Sequence, residues 1–456
     1  MLHNLNFWFF CLFAYSFLSA DESRPLTVDL ATESPLSPLY LLPFYSEQSE
    51  LGDAYIRQLE RILTFDLNHN GSTMTLKRTP ENDRLSLGRA CGGLGSAFDW
   101  KERGIFYVVK VTVEGSMLTA SVLDVCKQSV KNAHPSPLTG NLSEDRRQIH
   151  ALADAIYRAL FGREGIASTK LLYTMKLDNS SDSNRWISEV WECDYDGGNA
   201  RKVTQERAYC VTPTYIPPKP GYTVGGFLYV SYRLGQPKIY AAPLKEGKSS
   251  RLSYLGGNQL MPAISRQRDK IAFICDVTGN PDLFLQPFNL EKGAVGKPQQ
   301  IFSAPNATQG SPTFSPDGTR LAFVSNKDGS PKIYVMNIPE AGTPLKHIKA
   351  TLISKRNREN SAPAWSPDGT KLAYCARTKN DRQIWIYDFA TGRETPLTEG
   401  PGHKENPSWG PDNLHLVFNS SSSKGGELFI IDLNQAEATQ ITFGSHTKCF
   451  PSWEPR

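Results

Sequence analysis

The sequence predicts an α/β N-terminal domain followed by an all-β six-bladed β-propeller. A recurring phrase in the later part of the chain and two amphipathic helical stripes among strands in the earlier part carry this reading. The phrase is PTFSPDGTRLAFVS at 312–325, PAWSPDGTKLAYCA at 363–376 and PSWGPDNLHLVFNS at 407–420. Fainter copies open at Pro262 and Pro213, and PSWEPR at 451–456 opens it once more. The leading prolines lie 44 to 51 residues apart, close to the period of propeller blades.

Residues 1–20 contain no Lys, Arg, Asp or Glu, run apolar from Leu5 to Leu18 and end in Ser19-Ala20, which reads as a signal peptide. Residues 21–37 are polar around a short kernel, Leu26-Thr27-Val28, and read as a mobile arm. Residues 38–165 form the α/β domain. Pro38 to Tyr45 is an apolar strand, and Gly52 to Leu67 places Tyr55, Ile56, Leu59, Ile62 and Leu63 on one helical face. Ile105 to Val113 and Met117 to Cys126 alternate as strands joined by a hairpin at Glu114-Gly115-Ser116. Ser143 caps a helix from Glu144 to Phe161, which Gly162 ends. The next domain follows through Gly165 without a flexible linker, which predicts rigid packing.

Residues 166–456 build the propeller. In the clearest blade, Pro312 to Ser315 enters a type I turn at Ser315-Pro316-Asp317-Gly318. Leu321–Ser325, Ile333–Met336 and Ile348–Ile353 supply three further strands. Five prolines open five blades, and the sixth phrase holds one strand only. Its missing partners are found upstream at 170–175, 189–194 and 201–204, so the C-terminal strand closes the ring at six blades.

A formal net charge of +4 and no basic run interleaved with aromatics argue against nucleic-acid binding. Beyond residue 20 no stretch is apolar and long enough to span a membrane. Seven cysteines remain after the signal. Cys91 with Cys126 and Cys193 with Cys210 are candidate disulfides of an oxidising compartment, while Cys275 and Cys375 read as buried thiols. No G-x-S-x-G elbow, phosphate-binding loop or paired-cysteine zinc spacing occurs. Gly92-Gly93-Leu94-Gly95 precedes no convincing helix. Asp317 and Asp368 repeat, but capping their own turns explains them better than catalysis does.

The segments leading into the first strands cluster at one mouth of the central channel. They bring together Asn258 and Gln259, Thr308 and Gln309, Asn360, His403, Glu405 and Asn406, and His446 and Lys448. This polar convergence suits binding of a polypeptide. His403 and His446 lie on neighbouring blades, yet two imidazoles without a third ligand read as solvated loop residues rather than a metal site.

The signal segment, the small α/β domain, the PxWSPDGxxLAF repeats and the closing Phe450-Pro451-Ser452-Trp453 together resemble the TolB family of the Tol–Pal envelope system. Pro38-Leu39-Tyr40-Leu41-Leu42-Pro43-Phe44 is similar to that family's first apolar strand. The resemblance implies a non-enzymatic periplasmic adaptor without a cofactor, monomeric within its complex, that supports outer-membrane integrity and cell division. It implies a peptidoglycan-associated lipoprotein of the Pal type at the propeller mouth and a TolA-like inner-membrane protein on the arm, at Leu26 and Val28. Two positions depart from the family: Asn258 replaces a histidine, and only Leu26-Thr27-Val28-Asp29 matches the arm's apolar segment. The alternative is a periplasmic glycan-binding propeller or metal-dependent sugar lyase, which a tightly bound divalent metal would favour.

Overall fold

The computed structural model describes residues 35–456 apart from 87–92, 178–186, 246, 290, 423–424 and 436. The signal segment, the arm with Leu26 and Val28, and Cys91 lie outside the described residues. The N-terminal sheet holds β1 (Ser37–Leu41), β2 (Thr73–Thr75), β3 (Tyr107–Glu114), β4 (Met117–Asp124) and β5 (Ser129–Pro137), in the order β2-β1-β3-β4-β5. Strand β1 pairs in parallel with β2 and β3, and the β3–β4–β5 run is antiparallel. The long helices α1 (Asp53–Asn68) and α4 (Leu142–Phe161) cover it, with short helices α2 (Pro80–Leu85) and α3 (Ala97–Glu102) between β2 and β3. Helix α4 begins two residues earlier than the sequence suggests. Asn141 is its cap, accepting from the Ser143 amide, while Gly162 ends it at φ 69° as expected. Of the Gly92–Gly95 run, the described part from Gly93 does lead into a helix, α3, but the approach is filled: a Cβ on Gly95 would lie 2.8 Å from both the Trp100 indole nitrogen and the Leu85 carbonyl.

Six four-stranded blades follow, the second with an extra two-residue strand at Gly293–Ala294. Every inner strand carries the same irregularity. The residue before the leading proline has a positive φ at Thr212, Met261, Ser311, Ala362, Asn406 and Phe450. There the ladder slips, so that the pre-proline residue and the proline together oppose one residue of the second strand. The opposed residue is always a buried aromatic: Tyr229, Phe273, Phe323, Tyr374, Phe418 or Tyr173. Each in turn pairs directly with an aromatic of the third strand: Tyr240, Phe284, Tyr334, Trp385, Phe429 or Trp191. The bulge thus accommodates the proline's missing N–H, and the ring pair fills the blade core beneath it.

The S-P-D-G turns behave as structural caps. Gly318 donates its amide to the Ser315 carbonyl at 2.9 Å, and Asp317 accepts from the Ser315 hydroxyl (2.5 Å) and the Thr319 amide (3.0 Å). These bonds hold the Asp317 carboxyl down at about 2. Ser366, Asp368 and Thr370 repeat the arrangement.

Ring closure follows the predicted route. Strand Lys448–Trp453 pairs antiparallel with Lys170–Leu177, placing Lys448 opposite Met175 and Trp453 opposite Leu171. Trp453 is buried and donates its indole N–H to the Thr169 hydroxyl at 2.9 Å. Cys193 and Cys210 correct one expectation: both are buried free thiols, and burial raises the pKa of each. Cys126 is likewise free.

One apolar cluster runs from α1, α4 and the N-terminal sheet to Val417, Leu428, Ile430, Ile441 and Trp453 in the fifth and sixth blades. Replacing Trp453 with alanine should therefore cost about 3–5 kcal/mol. A urea denaturation midpoint equal to that of the wild type would show that the ring is closed by other contacts.

Candidate functional site

Each inner strand starts at what we term the upper face and ends at the lower face, where the S-P-D-G turns lie. The N-terminal domain occupies the lower face of the fifth and sixth blades. His69 Nε2 meets the Thr439 hydroxyl at 3.0 Å, Asn434 donates to the Gly71 carbonyl at 2.9 Å, and Tyr195 donates to Asp66 at 2.8 Å. Thr439, Asn434 and Tyr195 all follow third strands, at their lower ends. The upper mouth is left uncovered by this domain.

That mouth narrows to a cavity of about 140 Å³ lined by the prolines and the positive-φ residues before them. The bulges aim six uncharged side chains at one ring: Thr212, Met261, Ser311, Ala362, Asn406 and Phe450. Neighbouring blades are tied around it. The Ser311 amide and hydroxyl approach the Met261 sulfur at 3.1 and 3.5 Å. Buried Asn419 accepts from Asn406 Nδ2 at 2.9 Å and from the Phe450 amide at 3.3 Å.

Of the residues expected at this mouth, some reach it and others are committed to structure. Gln259, Gln309 and Asn360 are buried. They donate to the loop carbonyls of Leu255, Ala307 and Asn357, because each inner strand already begins at that residue. Lys448 is buried too, bonded to Glu427 at 2.9 Å and to the Phe443 carbonyl at 3.1 Å. The segments read as loops are thus the first half of the inner strands. Asn258 donates to Asp276 at 2.7 Å, and the Thr308 amide is held by Asn326 at 2.7 Å, leaving exposed Thr308 at the rim. His403 is partly exposed and accepts from the Arg382 amide at 3.2 Å, while Glu405 pairs with the Arg382 guanidinium at 2.6 Å. Asn406 alone stands in the ring itself. His446 is half-buried, and neither it nor His403 belongs to a three-ligand metal cluster among the described residues.

Sequence reasoning missed the apolar fringe of this face. Tyr254 is 83% exposed and Met261 37%, and Leu234 and Val277 are exposed beside them on the first and second blades. Phe443 is exposed where the fifth blade leads into the sixth. An apolar residue in a connection has no periodicity to mark it, so only the fold shows these on one face. Nucleophilic chemistry is poorly served here. Burial pushes the Cys375 and Cys449 thiols up to about 12. The pKa of Lys404 is lowered by burial, but its amine is tied to the Gly400 carbonyl at 3.0 Å.

Comparison with known proteins places this architecture. The family model for the TolB β-propeller domain matches residues 157–349 and 343–456. A TolB homolog of Protochlamydia amoebophila is 59% identical over 398 residues, spanning 87% of this chain and 85% of that protein. The chain belongs to the TolB family. A Chlamydia abortus TolB homolog is 42% identical over 61% of this chain and 63% of its own length. The crystal structure of TolB from Acinetobacter baumannii shares the fold at a TM-score of 0.74 and 22% identity, covering 93% of this chain and 98% of that one. Among the described residues no helix is long and apolar enough to cross a membrane.

Asn419→Ala should leave the Phe450 amide and the Asn406 side chain without their shared acceptor and destabilise the chain by about 1–3 kcal/mol. Thermal melts of this variant beside Asn258→Ala would test it. A loss no larger than that of the half-buried Asn258 would contradict the tie.

Proposed function

We propose that this chain is a non-enzymatic periplasmic adaptor of the Tol–Pal system whose upper propeller mouth binds a peptidoglycan-associated lipoprotein of the Pal type. The observation that carries the reading is the uncharged pre-proline ring, which includes Met261 and is fringed by Tyr254, Leu234 and Val277, on the face the N-terminal domain does not cover. Exposed aromatic and methionine side chains around a depression are the composition of a protein-binding centre. Polar neighbours His403, Glu405, Asn406, Asn258, Thr308 and His446 then form its rim. Membership of the TolB family supports the same partner and the periplasmic setting. The arm at residues 21–37, with Leu26 and Val28, is the proposed contact for a TolA-like inner-membrane protein by strand addition. Roles in outer-membrane integrity and cell division follow from that pair of partners.

Titration calorimetry with the soluble domain of the Pal-type lipoprotein from the same cell tests the mouth. Tyr254→Ala and Met261→Ala should each weaken binding by about 1–3 kcal/mol, and His403→Ala with Asn406→Ala by a comparable amount. Deleting residues 21–33 should abolish TolA-like binding while leaving the melting curve unchanged. Full affinity for the lipoprotein in all three mouth variants would move the interface off this face. Full TolA-like binding by the deletion would reduce the arm to a leader.

A further inference from the structure

Charge is unevenly placed along this chain. Residues 197–251 carry nine Lys and Arg against two Glu, an excess of seven, whereas the whole chain nets only +4. The stretch comprises the fourth strand of the sixth blade, Arg201–Lys202, and all of the first blade. Five of its nine cations stand on the lower rim. The connections 216–225 and 244–249 bring Lys219, Lys245 and Lys248 there, and the sixth blade's fourth strand adds Arg201 and Lys202. All five are exposed. The second connection stands between two depressions, one of about 400 Å³ shared with Arg201 and Lys202, the other of about 540 Å³ shared with Lys219 and Tyr222. Carboxylates on this side are already matched. Glu192 pairs with Arg201 at 2.5 Å, and Glu206 with Arg233 at 2.9 Å. Among the described residues, Lys202, Lys219, Lys245 and Lys248 have no carboxylate within ion-pair distance.

We propose that the lower rim of the first blade docks on an anionic bilayer surface through the phosphates of its lipid headgroups. Three features carry the assignment. The unmatched charges are all lysines, compact point charges on flexible stems that suit a diffuse anionic field. The one arginine among them is committed, to Glu192 and to the Leu244 carbonyl at 3.2 Å, so no guanidinium fork is spare to read a single anion. Deeper polar groups of the first depression are also spent within the fold. Tyr229 donates to Glu206 at 2.7 Å and Thr204 to Glu189 at 2.5 Å, which leaves a small anion no cradle and a charged plane its point contacts. Tyr222 supplies the third feature. It is 73% exposed, in the same depression as Lys219 and Lys248 and beside the Ile216-Pro217-Pro218 run. An apolar ring with a polar tip, set among lysines, is suited to the boundary between headgroups and water. The rim lies on the face opposite the uncharged mouth, so this contact is independent of any partner held there.

Sedimentation of the full mature chain with vesicles tests the surface. At low ionic strength the chain should bind vesicles of phosphatidylcholine that contain phosphatidylglycerol and ignore vesicles of phosphatidylcholine alone, and added salt should release it. Lys245→Gln with Lys248→Gln should weaken vesicle binding ~10-fold or more. Tyr222→Ser should weaken it too, with the salt dependence unchanged. Lys355→Gln with Arg358→Gln removes the same charge from exposed positions on the upper connection into the fourth blade and should leave binding intact. All five positions are exposed, so the variants should melt as the wild type does. No binding to the anionic vesicles overturns the proposal, as does an equal loss in the two double variants, which would reduce the effect to net charge. Capture by soluble polygalacturonate or polyphosphate with the vesicles left unbound overturns it in favour of a soluble polyanion.

Discussion

The pairing of Lys448–Trp453 with Lys170–Leu177 is the contact on which the rest of the molecule depends. It joins segments nearly the full propeller apart in sequence, so loop-closure entropy opposes it until the intervening blades are formed. Once made, it fixes more than the ring. The second strand of the sixth blade follows α4 through a short segment that Asp154 grips at the Ala167 and Ser168 amides, at 2.8 and 3.1 Å. The closing strand therefore draws the N-terminal domain onto the lower face, and Arg456 ties back to Asp154 at 3.3 Å. Which mouth stays open is thus a consequence of where the ring is sealed.

The second constraint is local and repeated six times. Proline cannot donate to a ladder, yet each inner strand carries one between two paired stretches. A bulge resolves this at the expense of a left-handed residue, and a side chain other than glycine in that region costs of order 1–3 kcal/mol. The aromatic pair beneath each bulge offsets that strain by filling the space the slipped strand leaves. The return is geometric. Residues from Thr212 round to Phe450 turn toward the channel, giving a mouth whose side chains are free to vary while their backbone is held.

Much of this was legible in the sequence because the repeat is both periodic and chemically explicit. Proline, the S-P-D-G turn and the apolar second strand together specify a blade. What escaped notice was polar structure. Strand β5, Ser-Val-Lys-Asn-Ala-His-Pro-Ser-Pro, drew no strand expectation, since an edge strand pairing on one side only tolerates prolines and need not alternate. Gln259, Gln309 and Asn360 looked like solvent-facing loop residues, whereas each amide is spent on a carbonyl of the connection before it. The apolar stripe of α4 included Ile149 and passed over Asp145, His150 and Asp154, which are equally buried. Periodicity detects burial of hydrocarbon and is blind to burial of charge that has a partner on another domain.

The two faces of the propeller consequently obey different physics. The upper mouth is uncharged at its ring, with exposed apolar side chains beside a rim that carries the Arg382–Glu405 pair. The lower face is a junction of carboxylates, histidines and arginines already matched to one another. His415, for instance, lies 2.6 Å from Asp412 beneath the N-terminal domain, and Asp412 holds its pKa up against a burial that would lower it. Pro35 emerges beside that junction, in a cavity of about 690 Å³ shared with Tyr157, Asp368, Asn413 and Asn434. The described chain thus begins at this junction, on the face opposite the mouth. The fifth and sixth blades share one apolar cluster with the N-terminal domain, so the junction packs as a single core. Coupling between any two sites joined by such a core acts equally in both directions, and needs a junction with two packings rather than one rigid one.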